Sequence, residues 1–238
     1  MGKERILSDL RGQGDRWIAL LNEVDEDRPT IWDRFDWEYQ GLMALMDSYI
    51  YDRAMDDRVV LVGRGSNFLL EGMPHALRVR LTAPIEQRVD RVMRKDGVDR
   101  KNALRLIEKM DNDRASFIRA NFHRDWYDLT AYDMVFNTAV QTFQEITDIV
   151  CNALQEKAGK LTLEAWEMLR GRMLAARIKA QIATNPRIKI PTLKVFFDGK
   201  AIHLQGVVRR FADLNAVGEI VTVFAQGTPV RNELRYGI

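Results

Sequence analysis

Two groups of residues could do chemistry. The first is Gly63-Arg64-Gly65-Ser66-Asn67, directly after the apolar run Val59-Val60-Leu61-Val62. Glycine permits a sharp turn and close backbone approach to a ligand. An arginine between two glycines, at the carboxyl end of a buried strand, suits a phosphate or carboxylate. On these residues alone a plain turn with a solvated arginine is the simpler reading. The second group is Arg114, Arg119 and Arg124, spaced five apart within 111–133. A five-residue step on a helix is well over a full turn, so these side chains fan out. Such a fan could close over phosphates. It could equally be a solvated face balanced by Asp111, Asp113 and Asp125.

Other chemistry is excluded by spacing. A phosphate-cradling P-loop needs Gly-x-x-x-x-Gly-Lys followed by Ser or Thr. The chain's Gly-Lys pairs are Gly2-Lys3, Gly159-Lys160 and Gly199-Lys200, and none fits. Gly12-x-Gly14 has Trp17, and Gly63-x-Gly65 has Phe68, where a dinucleotide fingerprint needs its third glycine. No nucleophile triad or zinc-protease motif is present. His75, His123, His203 and Cys151 lack metal-ligand spacing, and one cysteine allows no intrachain disulfide. No catalytic residue and no metal ligand is therefore assigned.

The elements that would position these groups follow from periodicity. Helices are expected over 4–22 and 38–56, the second with Leu42, Leu45, Met46, Tyr49 and Ile50 as its core face. A loop over 22–36 separates them. Val59–Val62 reads as a buried parallel strand. Leu77–Leu81 is a second strand, with Arg78 and Arg80 on one face. That face either borders a ligand cleft or is uncovered. Thr82 caps a helix running to Lys95 that breaks at Asp96-Gly97. Further helices cover 99–121 and 142–156, the latter with Phe143, Ile146, Ile149, Val150 and Leu154 inward. A third strand lies at 132–137. The alternation implies an α/β layer with parallel strands. Ala158-Gly159-Lys160 is the expected boundary between domains 1–157 and 161–238. Beyond it come a helix over 161–183, strands 193–197 and 201–208 turning at Asp198-Gly199 in a type I′ hairpin, a helix over 211–225 and a strand over 229–234.

The 238 residues carry 46% hydrophobic and 29% charged side chains, a core-forming composition. A net charge of +2 is too small to make nucleic acid the expected partner. No apolar run approaches a membrane span, and Met1–Arg5 is not followed by the apolar stretch of a signal peptide. A cytoplasmic location is expected.

An ordered set of pieces resembles the cytidylate kinase-like family over about residues 5–157. The pieces are Val60–Asn67, Leu77–Pro84 with Arg88, Asp113-Arg114, Asp125–Asp128 and Tyr132–Thr138. The resemblance implies a P-loop nucleoside monophosphate kinase fold that transfers phosphate from ATP, with magnesium, to a cytidylate-type acceptor. It implies that Arg64, with Asn67 beside it, binds the acceptor nucleotide, and that Arg114 and Arg119 bind the transferring phosphates. The family's opening strand, glycine-rich loop and helix have no counterpart here. Either the sequence enters the pattern late or the remaining strands have closed up. The expectation is an α/β kinase-like sheet without its P-loop strand, with impaired phosphotransfer and no cofactor held by this chain.

Residues 161–238 resemble a BON domain, a small α+β binding module. The pieces are Val195, Asp198-Gly199, Ile202, Leu204–Val208 and Gly227–Leu234. This resemblance implies a protein or phospholipid partner and a regulatory role. The expected ligands are thus a nucleoside monophosphate or related anion and a partner of the BON-like module, with self-association left open. The rival reading is a non-enzymatic scaffold whose BON-like module carries the function.

Overall fold

The computed structural model describes residues 37–237. The expected helix over 4–22 and the loop over 22–36 lie outside them. The contacts divide the chain into two compact units. One is Gly63–Ala165; the other joins the described residues before Gly63 to those from Trp166 onward.

The second of these units is built on two long helices. Helix α1, Trp37–Met55, is buried almost all round over 41–46, beyond the single core face its periodicity suggests. It runs antiparallel to Leu163–Ala183 (α6 in chain order), as the pairs Asp47–Lys179 and Asp52–Arg177 require, at 3.7 and 2.8 Å. Burial raises the Asp47 carboxyl, with Lys179 opposing. Burial likewise pushes the Tyr51 hydroxyl up to about 12, against the pull of Arg172. The deepest side chains here are Leu42, Leu174, Ile178, Ile182, Ile188 and Ile190. This grouping places α1 with the C-terminal segment, although the two are far apart in sequence.

The same unit carries a sheet of order β3-β4-β5. Strands β3 (Lys194–Phe197) and β4 (Ile202–Val208) are antiparallel, and β5 (Val230–Tyr236) runs parallel to β4. Helix α7, Phe211–Phe224, makes the crossover between β4 and β5. Ile202, Leu204 and Val208 alternate onto the buried face. The expected type I′ turn is corrected. Asp198 N donates to the Ala201 carbonyl, so Gly199 and Lys200 are the central pair. Gly199 has φ +97°, while Lys200 is not among the positive-φ residues. Glycine at the first central position is the type II′ pattern.

The unit Gly63–Ala165 is thinner. Its elements are the short helix α2 (Ser66–Leu69), β1 (Val79–Thr82), α3 (Ile85–Asp96), α4 (Arg100–Phe122), β2 (Met134–Asn137) and α5 (Phe143–Ala158). The sheet is a parallel pair in the register Val79↔Met134 to Thr82↔Asn137. Helices α3 and α4 close a small core of Val89, Ala103 and Ile107. The Asp99 carboxylate caps α4 by accepting from Asn102 N at 2.8 Å. The chain is thus α/β with parallel and antiparallel pairing.

Three local expectations fail. Val59–Val62 is not a strand, and Val60 and Val62 are 87% and 88% exposed. A parallel strand holds only where neighbours pair with it and both faces are covered. The run pairs with no strand among the described residues, and left-handed residues Asp57 and Arg58 on one side and Gly63 to Gly65 on the other isolate it. Secondly, Thr82 ends β1 and donates to the Phe136 carbonyl at 3.0 Å instead of capping α3. Thirdly, of the residues expected inward on α5, only Ile146 is buried, and Phe143 is 70% exposed. Two four-residue strands offer too little surface for the helix to cover.

Gly199→Val places a β-branched side chain at φ +97° within 3.1 Å of the Met168 methyl. It should lower stability by about 1–3 kcal/mol in denaturant unfolding. Unchanged unfolding would refute the turn assignment.

Candidate functional site

Gly63, Arg64 and Gly65 have φ of 77°, 54° and 73° in succession. This run of left-handed residues turns the chain sharply, and Ser66 N closes it by donating to the Gly63 carbonyl at 3.2 Å. Arg64 pays a conformational penalty here that glycine does not. Arg64 is an exposed residue. Asn67 follows one turn later, half-buried, with its Nδ2 inaccessible to water and without a hydrogen-bond partner among the described residues.

What fixes the turn is Phe122, at the end of α4. A Cβ built on Gly65 would lie 2.1 Å from the Phe122 ring. The ring stacks on Phe68 at 5.5 Å and meets Phe117 at 6.2 Å. Arg64 is thereby tied to the helix carrying Arg114 and Arg119. Along α4, Arg119 lies about 4.5 Å and Arg114 about 12 Å before Phe122, from the helical rise. Arg119 is exposed and sits nearer the turn. Arg114 belongs to a second cluster.

That cluster centres on Asp111 and Trp126. Arg88, on α3, donates twice to Asp111, at 2.6 and 2.7 Å. This pairing raises the Arg88 pKa further above its ordinary value. Arg114 reaches the same carboxylate at 3.4 Å, and its guanidinium lies 6.0 Å from the Trp126 ring. Arg80 stands over Trp126 at 4.2 Å and over Tyr132 at 5.3 Å. It donates to the Trp126 carbonyl at 2.7 Å and the Tyr132 hydroxyl at 3.1 Å. Arg78 pairs with Asp133 through its guanidinium at 3.1 Å and its backbone N at 2.8 Å. Burial opposes ionisation of Asp133, but the Arg78 bonds outweigh it and hold the carboxyl below the usual range.

The arginine face of β1 is therefore neither an open cleft nor an uncovered edge. The segment after α4 supplies its acceptors. Arg124, expected in the fan, pairs with Glu71 at 2.8 Å. Arg88, Asp111 and Trp126 emerge as cluster members that spacing did not single out. The signal for Arg80 was its alternation with apolar neighbours on a strand. Chemically, the arrangement is a set of oriented guanidinium groups whose acceptors are carboxylates, a carbonyl and a hydroxyl of the same unit. Among the described residues no group of His, Cys, Asp or Glu is placed to hold a metal ion.

Known proteins bear on this geometry. The cytidylate kinase-like family matches residues 5–140, more than half of the chain. The chain belongs to the cytidylate kinase-like family. It is 28% identical over 158 residues to a cytidylate kinase of Methanopyrus kandleri, covering 63% of this chain and 75% of that protein. A cytidylate kinase of Sulfolobus acidocaldarius is 25% identical over 153 residues, covering 64% and 78%. A uronate isomerase of Corynebacterium glutamicum is 29% identical over 104 residues, covering 44% of this chain and only 20% of the isomerase. A solved structure from Eubacterium ventriosum aligns with a TM-score of 0.47 and 23% identity, covering 58% of this chain and 81% of that one. The family match includes the Gly63–Gly65 turn, Asp111, Arg114 and Trp126, and stops before α5.

Gly65→Ala should destabilise the unit by about 1–3 kcal/mol, since the ring must move and the residue is left-handed. On a Phe122→Ala background the added cost should shrink, as a double-mutant cycle in denaturant would show. Full additivity would separate the turn from Phe122.

Proposed function

We propose that this chain binds a nucleoside monophosphate of the cytidylate type, and that alone it does not transfer phosphate from ATP. Arg64 and Asn67 hold the acceptor at the turn, and Arg114 and Arg119 reach its phosphate. The observation that carries this reading is the locked turn: Gly65 lies against Phe122 of the very helix bearing both arginines. Guanidinium and phosphate pair in a bidentate way, which supports binding without a P-loop. Phosphoryl transfer is mostly positioning and charge stabilisation, so a chain without the Gly-x-x-x-x-Gly-Lys cradle lacks much of what the step requires.

A second reading rests on where the burial lies. Apart from Val89, the large fully buried side chains belong to the unit of α1, α6 and the three-stranded sheet. The order helix, strand, strand, helix, strand over 163–236 supports a BON-like module there. In this reading that module meets a protein or phospholipid partner and the kinase-like part is structural. The division into 1–157 and 161–238 belongs to the proposal, as do a cytoplasmic location and self-association. No helix among the described residues is long and apolar enough to cross a membrane. Limited proteolysis should cut first at Ala158–Lys160; first cuts inside the hairpin would oppose the division.

Isothermal titration with CMP, beside a coupled kinase assay, tests the main reading. Binding should be salt-sensitive and turnover negligible. Arg64→Ala should weaken binding at least about tenfold, roughly 1.4 kcal/mol, with the fold intact, and Arg114→Ala should weaken it less. Robust turnover would overturn the second half of the proposal. Absence of binding to CMP or any other nucleotide would hand the case to the scaffold reading.

A further inference from the structure

His203 is the middle residue of an arrangement that the nucleotide reading does not use. It lies on β4, the central strand, on the sheet face opposite Ile202 and Leu204. It is nonetheless buried. Its Nε2 is 2.8 Å from the Asp198 carboxylate at the hairpin turn, and its Nδ1 is 3.4 Å from the Glu233 carboxylate on β5. The ring stacks on Phe196 of β3 at 5.0 Å and nearly parallel, with 5° between planes. Both ring nitrogens thus face carboxylates, one on each side of the central strand.

We propose that His203 is a proton-dependent tie that fastens both the hairpin turn and β5 to the central strand. Donor counting carries the inference. A cationic imidazole has two N–H donors, whereas a neutral one has a donor and a lone pair. An ionised carboxylate only accepts. The cationic ring therefore satisfies Asp198 and Glu233 together. A neutral ring must turn a lone pair toward one of them. Asp198 is the partner kept, because its contact is the shorter. It is also fixed in place by Lys200 N at 2.8 Å and Ala201 N at 2.7 Å. The side released is Glu233, on the edge strand β5, where Gln205 Nε2 still holds it at 2.7 Å.

The surrounding hydrogen bonds and charges favour the ionised form of both carboxylates. The Ala201 backbone bond foremost, then His203 and Lys200, holds Asp198 well below the ordinary carboxylate range. Gln205 foremost, with His203 and Arg231 adding, lowers Glu233. By register, Arg231 on β5 stands opposite His203, and Lys194 on β3 stands opposite Gln205. Lys200 sits in the turn. The sign follows. The two-sided tie is present where His203 is cationic and is lost where the ring is neutral. The carboxylates' own contribution is lost only at much lower pH, as pH falls through their lowered values.

The test uses the full chain. Imidazole nitrogen NMR is recorded from about pH 5 to about pH 8.5, the range spanning histidine titration, with His203→Gln assigning the signal. Both nitrogens should be protonated at the acidic end. The amide signals of Arg231 and Glu233 should follow the same titration. Its midpoint should fall in Glu233→Gln and in Asp198→Asn. The thermal midpoint of wild type should drop across this range more than that of His203→Gln. Should His203→Gln fail to fold, the two carboxylate variants, altered at partly exposed positions, still read the midpoint. A ring that stays neutral at about pH 5, or a midpoint unmoved by either carboxylate substitution, would overturn the proposal.

Discussion

The kinase-like unit depends on a missing methyl group. Gly65 has no Cβ, and the Phe122 ring occupies the space where one would be. The contact joins a tight left-handed turn to the end of a 23-residue helix. Phe68 and Phe117 both pack on the ring. A larger residue at 65 would have to displace the ring or unwind the turn. Arg64 and the arginines of α4 therefore keep a defined relation although the sheet beside them is small.

That small sheet explains the rest of this unit. A two-stranded pair is marginal by itself. It is supported here by side chains that bridge the strands to their surroundings. Arg78–Asp133 ties the start of β1 to the residue before β2, and Lys157 donates to the Ala76 carbonyl at 2.6 Å from the end of α5. Arg80 sits over aromatic rings with its hydrogen bonds satisfied. Apolar residues with no sheet to cover are left exposed, Phe143 among them. In the other unit the same physics runs the opposite way. Two long helices and a three-stranded sheet enclose a deep apolar interior, and half-buried charges are paired across α1 and α6.

How legible this was depended on the range of the interactions. Helix limits were readable where a cap is local. Asp99 opens α4, and Thr142 with Glu145 forms a reciprocal capping box on α5. The C-terminal hairpin and crossover were readable because Asp198-Gly199 and the alternation of β4 are local signals, though the turn type was off by one position. Val59–Val62 misled because strand formation depends on neighbours the run itself does not encode. The Arg88–Asp111 pair spans 23 residues and the Arg80–Trp126 contact 46, so spacing within one element could not reveal them. The Gly63-Arg64-Gly65 motif was legible as a turn, but its reason, the Phe122 ring, comes from a residue 57 positions later.

The central claim is that Arg64 and the α4 arginines serve one anion site. Arginine side-chain Nε–H NMR during a CMP titration addresses it most directly. The account predicts saturable shifts of the Arg64 and Arg114 signals with one common dissociation constant. Shifts confined to arginines outside 63–124, or an Arg64 signal unmoved while CMP saturates the protein, would contradict it.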